Sequence, residues 1–579
     1  MKTIWKYLRT YKKEIVLSPF FKLLEAFFEL IVPLVVASII DVGIDGENTS
    51  HIIVCAILMA LLGFIGLICA VTAQFFAARA AVGVATNIRT ALFRHIQTLS
   101  YTKLDTLGAS SLITNMTSDV NQLQTGVNLV LRLFLRSPII VFGSMFMAFT
   151  IDVRSAVSFV ILIPALSAVV FGIMLAGIPL YQKVQKKLDK LLGITRENLN
   201  GVRVVRAFNM EQTEKQHFHS ANDDFTASQN FVGGISALMN PLTFVLVNTA
   251  IVFLIHKGAI RVNNGIITQG QLIALYNYMA QILVELVKLA NLIITITKAA
   301  ACGNRIGEVL KTTSEEIKPV SDAISCNNAD ADAIRFENVS LQYSGAGAES
   351  LSNISFCVKK GETLGIIGPT GAGKTSLISM IPRFYPATKG QIMIFGEPIE
   401  KYTEQELRQK IGVVPQKAAL FKGTVRSNLL FGNPKADEET LKNALRASEA
   451  LDFVMEKPKK LDEPVSQGGK NFSGGQRQRL TIARALVMQP EILILDDSSS
   501  ALDYATDAKL RKSLRALPYR PTTIIVSQRT ASIQFADHIL VLSDGEAVGF
   551  GTHEELIEMC SVYKEIHESQ YQSATGGNV

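Results

Sequence analysis

Thr363-Leu-Gly-Ile-Ile-Gly368-Pro-Thr370-Gly371-Ala372-Gly373-Lys374-Thr375-Ser376 is an apolar strand, a glycine-rich turn and the opening of a helical stretch that runs from Ser376 to Ile381. Strand, loop and helix in that order are the context of a phosphate-binding loop. The glycines let successive backbone amides turn inward around phosphate oxygens, and the helix N-terminus adds its positive end. Lys374 is expected to reach the β- and γ-phosphates and Thr375 to ligate Mg²⁺. Further along, Glu491-Ile-Leu-Ile-Leu-Asp496 is a second apolar strand, ending in a carboxylate placed to hold the metal's water shell. From Ala333 onward strands and helices alternate, as in an α/β domain.

The first half has a different composition. The 579 residues are 48% hydrophobic and only 18% charged, with a mean hydropathy of +0.27. Soluble domains carry about 25% charged residues, so the deficit argues for a bilayer and against a disordered or wholly soluble chain. Four runs lack Lys, Arg, Asp and Glu entirely, at 52–78, 155–182, 225–256 and 262–284. Each exceeds the roughly 20 residues a helix needs to cross the hydrocarbon core. Two weaker spans complete a set of six: 15–44, carrying Lys22, Glu25 and Glu29, and 129–151, carrying Arg132 and Arg136.

Lys2, Lys6, Arg9, Lys12 and Lys13 place the N-terminus in the cytoplasm, and the first turnaround, with Asp41, Asp45 and Glu47, lies outside. The last outer loop, with Lys257 and Arg261, breaks the charge rule, yet an even helix count still needs it outside. Ile4, Leu8, Tyr11 and Ile15 recur at helical spacing and suit a helix in the headgroup plane, with Pro19 marking the bend into the membrane. Residues 1–311 are thus expected to form the membrane domain, 312–332 a polar linker, 333–571 the α/β domain and 572–579 a tail. Lys plus Arg exceed Asp plus Glu by 57 to 50, too mild an excess to argue for nucleic acid. The six cysteines form no CxxC pair and read as isolated buried thiols.

Between the two motif strands lies Asn471-Phe-Ser473-Gly474-Gly475-Gln476, just ahead of a helical stretch at Leu480–Val487. This run is the signature of ATP-binding-cassette proteins. Residues 333 to about 570 resemble the nucleotide-binding domain of an ABC transporter, and residues 1 to about 310 resemble the six-helix membrane domain of the exporter class. The resemblance implies further roles. Tyr343 matches the aromatic that stacks on adenine, and Gln416 the glutamine that contacts the metal and the coupling helices. Ser500-Ala-Leu-Asp503 matches the loop that crosses the dimer interface. Asp105–Ser111 and Phe208–Gln216 match the short cytoplasmic segments that dock on ATP domains. ATP and Mg²⁺ are the implied cofactors. Two chains sandwich two ATP molecules, each resting on one chain's phosphate loop and closed by the other chain's signature segment.

Two positions depart from the family. After Asp496 the family carries a glutamate that polarises the attacking water, and here it is Asp497. Near the γ-phosphate the family has a histidine, and here Gln528 follows the strand Thr523–Ser527. Pro464 stands where many exporters carry a glutamate. The pattern resembles the weak-site half of a heterodimeric bacterial multidrug exporter; conservative drift in an active homodimer is the alternative. Small amphipathic compounds lead as substrates, ahead of lipids and small peptides, and an ATP-gated channel is a more distant reading. Glu25 and Glu29 share one helix face, and Glu285 and Lys288 lie three apart in the sixth span. Charges at membrane depth face a cavity or one another, so substrate contact and helix pairing both stay open for them, as for Tyr276 and Tyr278.

Overall fold

The computed structural model describes residues 6–312, 332–498 and 500–575, with side chains up to residue 570. Ile4, Trp5, most of the expected linker and the last four residues of the expected tail lie outside the described residues. Two compact units are present, the first drawn from residues 1–98 and 107–313, the second from 99–106 and 314–579.

Six helices of the first unit are long and apolar enough to cross a membrane: Lys6–Ile44, Thr49–Thr98, Ala109–Ile151, Val153–Asn200, Glu211–Asn263 and Gln269–Lys311. They run far beyond the apolar spans. At 1.5 Å per residue, a 50-residue helix such as Thr49–Thr98 is about two and a half times the length the hydrocarbon core requires. Close packing comes from small side chains. Ala73, Ala77, Ala80, Ala81 and Ala85 form a buried stripe on the second helix, and Ser18 donates to the Ala73 carbonyl at 2.9 Å. Tyr11 and Ile15 pack beside Ala77, Ala80 and Leu131. The chain breaks at Tyr11 (φ −110°, ψ 42°), whereas Pro19 lies within the helix Lys12–Ser38.

Several charged groups in this unit are paired. Arg136 is the centre of an ionic cluster between the first, third and sixth helices. It contacts Glu285 at 2.7 Å, Glu29 at 2.6 Å and Glu25 at 3.8 Å, with its side chain only 8% exposed. Lys22 neutralises Glu25 at 2.6 Å, and Glu285 also accepts from Ser137 at 2.7 Å and Lys288 at 2.8 Å. These charges serve helix pairing. Tyr278 is fully buried and donates to the Leu30 carbonyl at 2.6 Å, while Tyr276 stays 41% exposed. The Arg261 that offends the charge rule pairs with Asp152 at 2.6 Å across two turns. Asp41 caps the sixth helix, accepting from the Gly270 amide at 2.7 Å and the Thr268 hydroxyl at 2.5 Å. Of the described cysteines, Cys55, Cys69, Cys302 and Cys560 are buried as expected, but Cys357 is exposed on a strand edge.

The second unit is built on a six-stranded sheet. Its strands are β1 (Thr363–Ile367), β2 (Ile411–Val414), β3 (Ile492–Asp496), β4 (Thr522–Val526), β5 (His538–Ser543) and β6 (Glu546–Gly551), in the order β6-β5-β1-β4-β3-β2. All neighbours are parallel except β5 and β6. The strands from β1 to β4 are near-continuous apolar runs because helices and a second sheet cover both faces. That second, antiparallel sheet comprises Leu351–Val358, Ile334–Leu341, Lys389–Ile394 and Glu397–Pro398. It packs Phe336 and Phe356 into a core shared with Leu364, Ile366 and Leu377.

Removing one member of a buried ion cluster costs about 3–5 kcal/mol, whereas an exposed pair contributes about 0–1 kcal/mol. Arg136→Met should therefore depress the melting temperature in detergent strongly, and Lys288→Met, whose side chain is 43% exposed, only slightly. Equal small effects in a thermal scan would show that the cluster does not hold the helices together.

Candidate nucleotide site

Because β1, β4 and β3 are parallel and in register, their C-terminal ends meet at one edge. Val526 sits level with Ile366 on one side and with Asp496 on the other. Ligands in such sheets bind outside the carboxyl ends of the strands. Here a cavity of about 250 Å³ opens there, lined by Thr370, Gly371, Gly373, Lys374, Thr375, Ser376, Gln416, Asp496, Asp497 and Gln528. Residues spread from 370 to 528 in sequence thus share one small space.

The loop after β1 needs its glycines. Gly371 and Gly373 have φ of +89° and +90°, the left-handed region that side chains disfavour. A Cβ on Gly373 would come within 2.6 Å of the Leu351 side chain. Gly373 caps a helix that begins at Lys374, two residues earlier than the sequence suggested, so the free amides of its first turn face the cavity. The Lys374 ammonium folds back onto the Gly368 and Pro369 carbonyls, both at 2.7 Å. Burial pulls its pKa down, against the opposing pull of Asp497 and Asp496.

Asp496 ends β3 and faces the Thr375 hydroxyl at 3.2 and 3.4 Å. Burial raises its pKa, and the neighbouring Asp497 adds to the rise. Asp497 adopts a φ of +44°, in the left-handed region that aspartate tolerates better than most residues. Its amide donates to the Val526 carbonyl at 2.9 Å, and Gln416 Nε2 reaches its carboxylate at 3.3 Å. Hard oxygen donors beside a carboxylate whose charge burial penalises fit Mg²⁺. Among the described residues no cluster of three or more His, Cys, Asp or Glu could hold a metal alone.

Other expected site residues lie outside this cavity. Ser473 and Gln476 form a capping box, so the helix starts at Gly474 and not at Leu480, and the signature residues are its first turn. Gly474 has open space where a Cβ would stand. Asp503 caps the helix Tyr504–Arg515, accepting from the Thr506 amide at 2.8 Å. Tyr343 is linked to the loop through its hydroxyl, which donates to Ser376 Oγ at 2.9 Å.

Sequence reasoning missed the surroundings of Tyr343. Its ring meets Tyr385 edge-on at 5.0 Å, and the Tyr385 hydroxyl donates to Asp105 at 2.5 Å. Burial and the Asp105 carboxylate both push the Tyr385 phenol up, so it remains a donor. Tyr101 packs on Phe384 with ring centroids 4.4 Å apart. The segment belonging with the second unit is therefore 99–106 rather than Asp105–Ser111, and Gly108 (φ +71°) marks its end. The aromatic pair Phe384-Tyr385 just beyond the phosphate-loop helix was the available signal. The segment expected at Phe208–Gln216 is an exposed turn, with Phe208 74% accessible, followed by the start of the long helix Glu211–Ala237; the short helix of this tip, Val202–Ala207, lies just before it.

A parallel-sheet phosphate loop on a chain with six membrane helices defines a membrane-bound P-loop ATPase. Residues 15–286 match the family described as "ABC transporter transmembrane region", and residues 351–500 match "ABC transporter". Among relatives, "Uncharacterized ABC transporter ATP-binding protein YfiB" of Bacillus subtilis (strain 168) is 34% identical over 95% of both chains. "Uncharacterized ABC transporter ATP-binding protein Rv1273c" of Mycobacterium tuberculosis (strain ATCC 25618 / H37Rv) is 35% identical over 99% of both. "Probable multidrug resistance ABC transporter ATP-binding/permease protein YheH" of Bacillus subtilis (strain 168) is 32% identical over 84% of this chain and 72% of that one. The solved "Structure of a bacterial Atm1-family ABC exporter with ATP bound" superposes with a TM-score of 0.81 at 23% identity, covering 98% of this chain and 99% of that one. The chain belongs to the ABC transporter family: it is an exporter-type half-transporter, a multi-pass protein of the cytoplasmic membrane with its ATPase domain in the cytoplasm.

The raised pKa of Asp496 sets a pH dependence. The folded state holds this proton more tightly than the unfolded state, so stability falls as pH rises from the ordinary aspartate value toward the raised one. Asp496→Asn should raise the melting temperature of the nucleotide-free, Mg²⁺-free protein at pH 7.5, and the gain should vanish near pH 4, about the unperturbed aspartate pKa. Thermal scans at the two pH values check this; no gain at pH 7.5 would contradict it.

Proposed function

We propose that this chain exports small amphipathic compounds as one half of a heterodimer, holding ATP at a site that hydrolyses it slowly and lending its signature segment to its partner's active site. The observation that carries the reading is the pair Asp497 and Gln528 in the 250 Å³ cavity, where the binding residues are complete and the hydrolytic pair is not. Lys374 and the loop amides would take the phosphates, Tyr343 the adenine, and Thr375, Asp496 and Gln416 would hold Mg²⁺. When bound, Mg²⁺ neutralises phosphate charge. Asp497 carries the role of orienting water, but its carboxylate sits one methylene back from a glutamate's, roughly 1.5 Å. A misplacement on the order of 1 Å costs about a hundredfold in rate. Gln528 donates a hydrogen bond to an oxygen but carries no positive charge toward a γ-phosphate.

The signature supports the partner's half of the reading. Ser473, Gly474, Gly475 and Gln476 form an intact, capped helix N-terminus outside this chain's own cavity, free to present amides to a nucleotide held elsewhere. Asp503 is the exposed N-cap of Tyr504–Arg515, and the Pro464 carbonyl accepts from Asn471 Nδ2 at 2.8 Å, two residues before Ser473. The substrate class rests on relatives whose printed descriptions are "Probable multidrug resistance ABC transporter ATP-binding/permease protein YheH" and "Putative multidrug export ATP-binding/permease protein YgaD". In the membrane unit the ion cluster about Arg136 is internally neutralised, which suits uncharged or weakly charged amphipathic cargo better than strong ions.

The test is ATPase activity in lipid of this chain assembled with its partner, the partner's own phosphate-loop lysine changed to alanine, with and without Asp497→Glu plus Gln528→His. The native chain should turn over slowly and the double variant about a hundredfold faster. Brisk native turnover, or no gain in the double variant, would sink the slow-site reading.

A further inference from the structure

The loop that carries Gln528 into the cavity is held from outside the sheet. On one side it is anchored to the core strand, because the Ser527 amide donates to the Ile366 carbonyl of β1 at 3.1 Å. On the other side it begins a very short helix, Thr530–Ile533, whose N-cap is Arg529. Arginine has no acceptor with which to cap, so the first amides of that helix need a partner from elsewhere.

The partner is Gln570, forty residues on, in the C-terminal helix Ser561–Thr575. Gln570 Oε1 accepts from the Thr530 amide at 2.9 Å and from the Thr530 hydroxyl at 3.1 Å. Gln570 Nε2 donates to the Gln528 carbonyl at 2.7 Å. One planar side-chain amide thus grips the backbone on both sides of Arg529. Its donor and acceptor match those of the loop, as a neighbouring strand's peptide group would. The helix presenting Gln570 is itself fixed: Tyr563 is fully buried, its hydroxyl lies 2.7 Å from His553 Nδ1, and Val562 and Ile566 pack on the main core.

We propose that Gln570 is a positioning residue of the nucleotide site. It holds the peptide at Gln528, and so the direction of the Gln528 side chain toward the γ-phosphate, and it makes the C-terminal helix part of that site's support. The inference rests on the reading of Gln528 as a γ-phosphate contact, so the experiment separates the two.

The readout is the preference for ATP over ADP of the full-length chain in lipid nanodiscs with Mg²⁺, from the ratio of the two dissociation constants. ADP lacks the γ-phosphate, so a general loss of stability leaves this ratio unmoved. Gln528→Ala should lower the ratio about fivefold, the effect of one ordinary hydrogen bond. Gln570→Met, which keeps the side chain's length and packing but removes both grips, should lower it by about the same factor, and Gln570→Ala likewise. The double variant Gln528→Ala/Gln570→Met should fall no further than either single one, because both act through one contact. If Gln528→Ala lowers the ratio while Gln570→Met changes only the melting temperature, Gln570 is a structural peg and the proposal fails alone. If Gln528→Ala leaves the ratio unchanged, the reading of Gln528 fails and takes the proposal with it.

Discussion

The parallel register of β1, β4 and β3 is the constraint from which the rest of the nucleotide site follows. Ile366, Val526 and Asp496 stand side by side, so whatever follows each of them in the chain emerges at the same place. The phosphate loop follows the first, Ser527 and Gln528 the second, and Asp497 the third. Slipping one strand by a residue would turn its side chains to the opposite face and separate these groups. The buried Asp496, facing Thr375 between β3 and the loop helix, ties the arrangement together at a cost in electrostatic energy that a bound cation would offset.

In the membrane unit the governing constraint is neutrality. An unpaired charge in a bilayer is costly, and here most of the charges at issue have opposite partners: Arg136 with three glutamates, Lys22 with Glu25, Arg261 with Asp152. Asp41 does the same work for backbone amides, closing the start of the sixth helix. Of these pairings, those of Arg136 with Glu25, Glu29 and Glu285 link different helices, while Lys22 with Glu25 lies within one.

The phosphate loop, the Asp496 strand and the signature were legible because their chemistry demands particular residue types at short spacing. The six spans were legible because a bilayer demands length and apolarity, although the helices continue well past those spans. Some features escaped for physical reasons. The helix expected from Leu480 begins at Gly474, because the Ser473–Gln476 capping box outweighs the weak helix propensity of two consecutive glycines. Arg261 looked misplaced because its partner Asp152 is remote in sequence. Tyr385 with Asp105, and Gln570 with Thr530, are long-range side-chain pairs that leave no periodic trace. Cys357 did leave one: it falls on the outward phase of the alternating strand Leu351–Val358, where a thiol's usual preference for burial gives way to the strand's period.

The proposed slow site rests on a one-methylene retreat of a carboxylate, at Asp497, and on an amide, Gln528, where the family carries a titratable ring, both in the cavity that holds Lys374 and the loop glycines. The most direct measurement identifies the nucleotide left on each chain. The assembled transporter would be given photoreactive radiolabelled ATP with Mg²⁺, crosslinked after a single catalytic cycle, and its two chains separated. The account predicts intact ATP on this chain and ADP on its partner. ADP appearing on this chain as fast as on the other would contradict it.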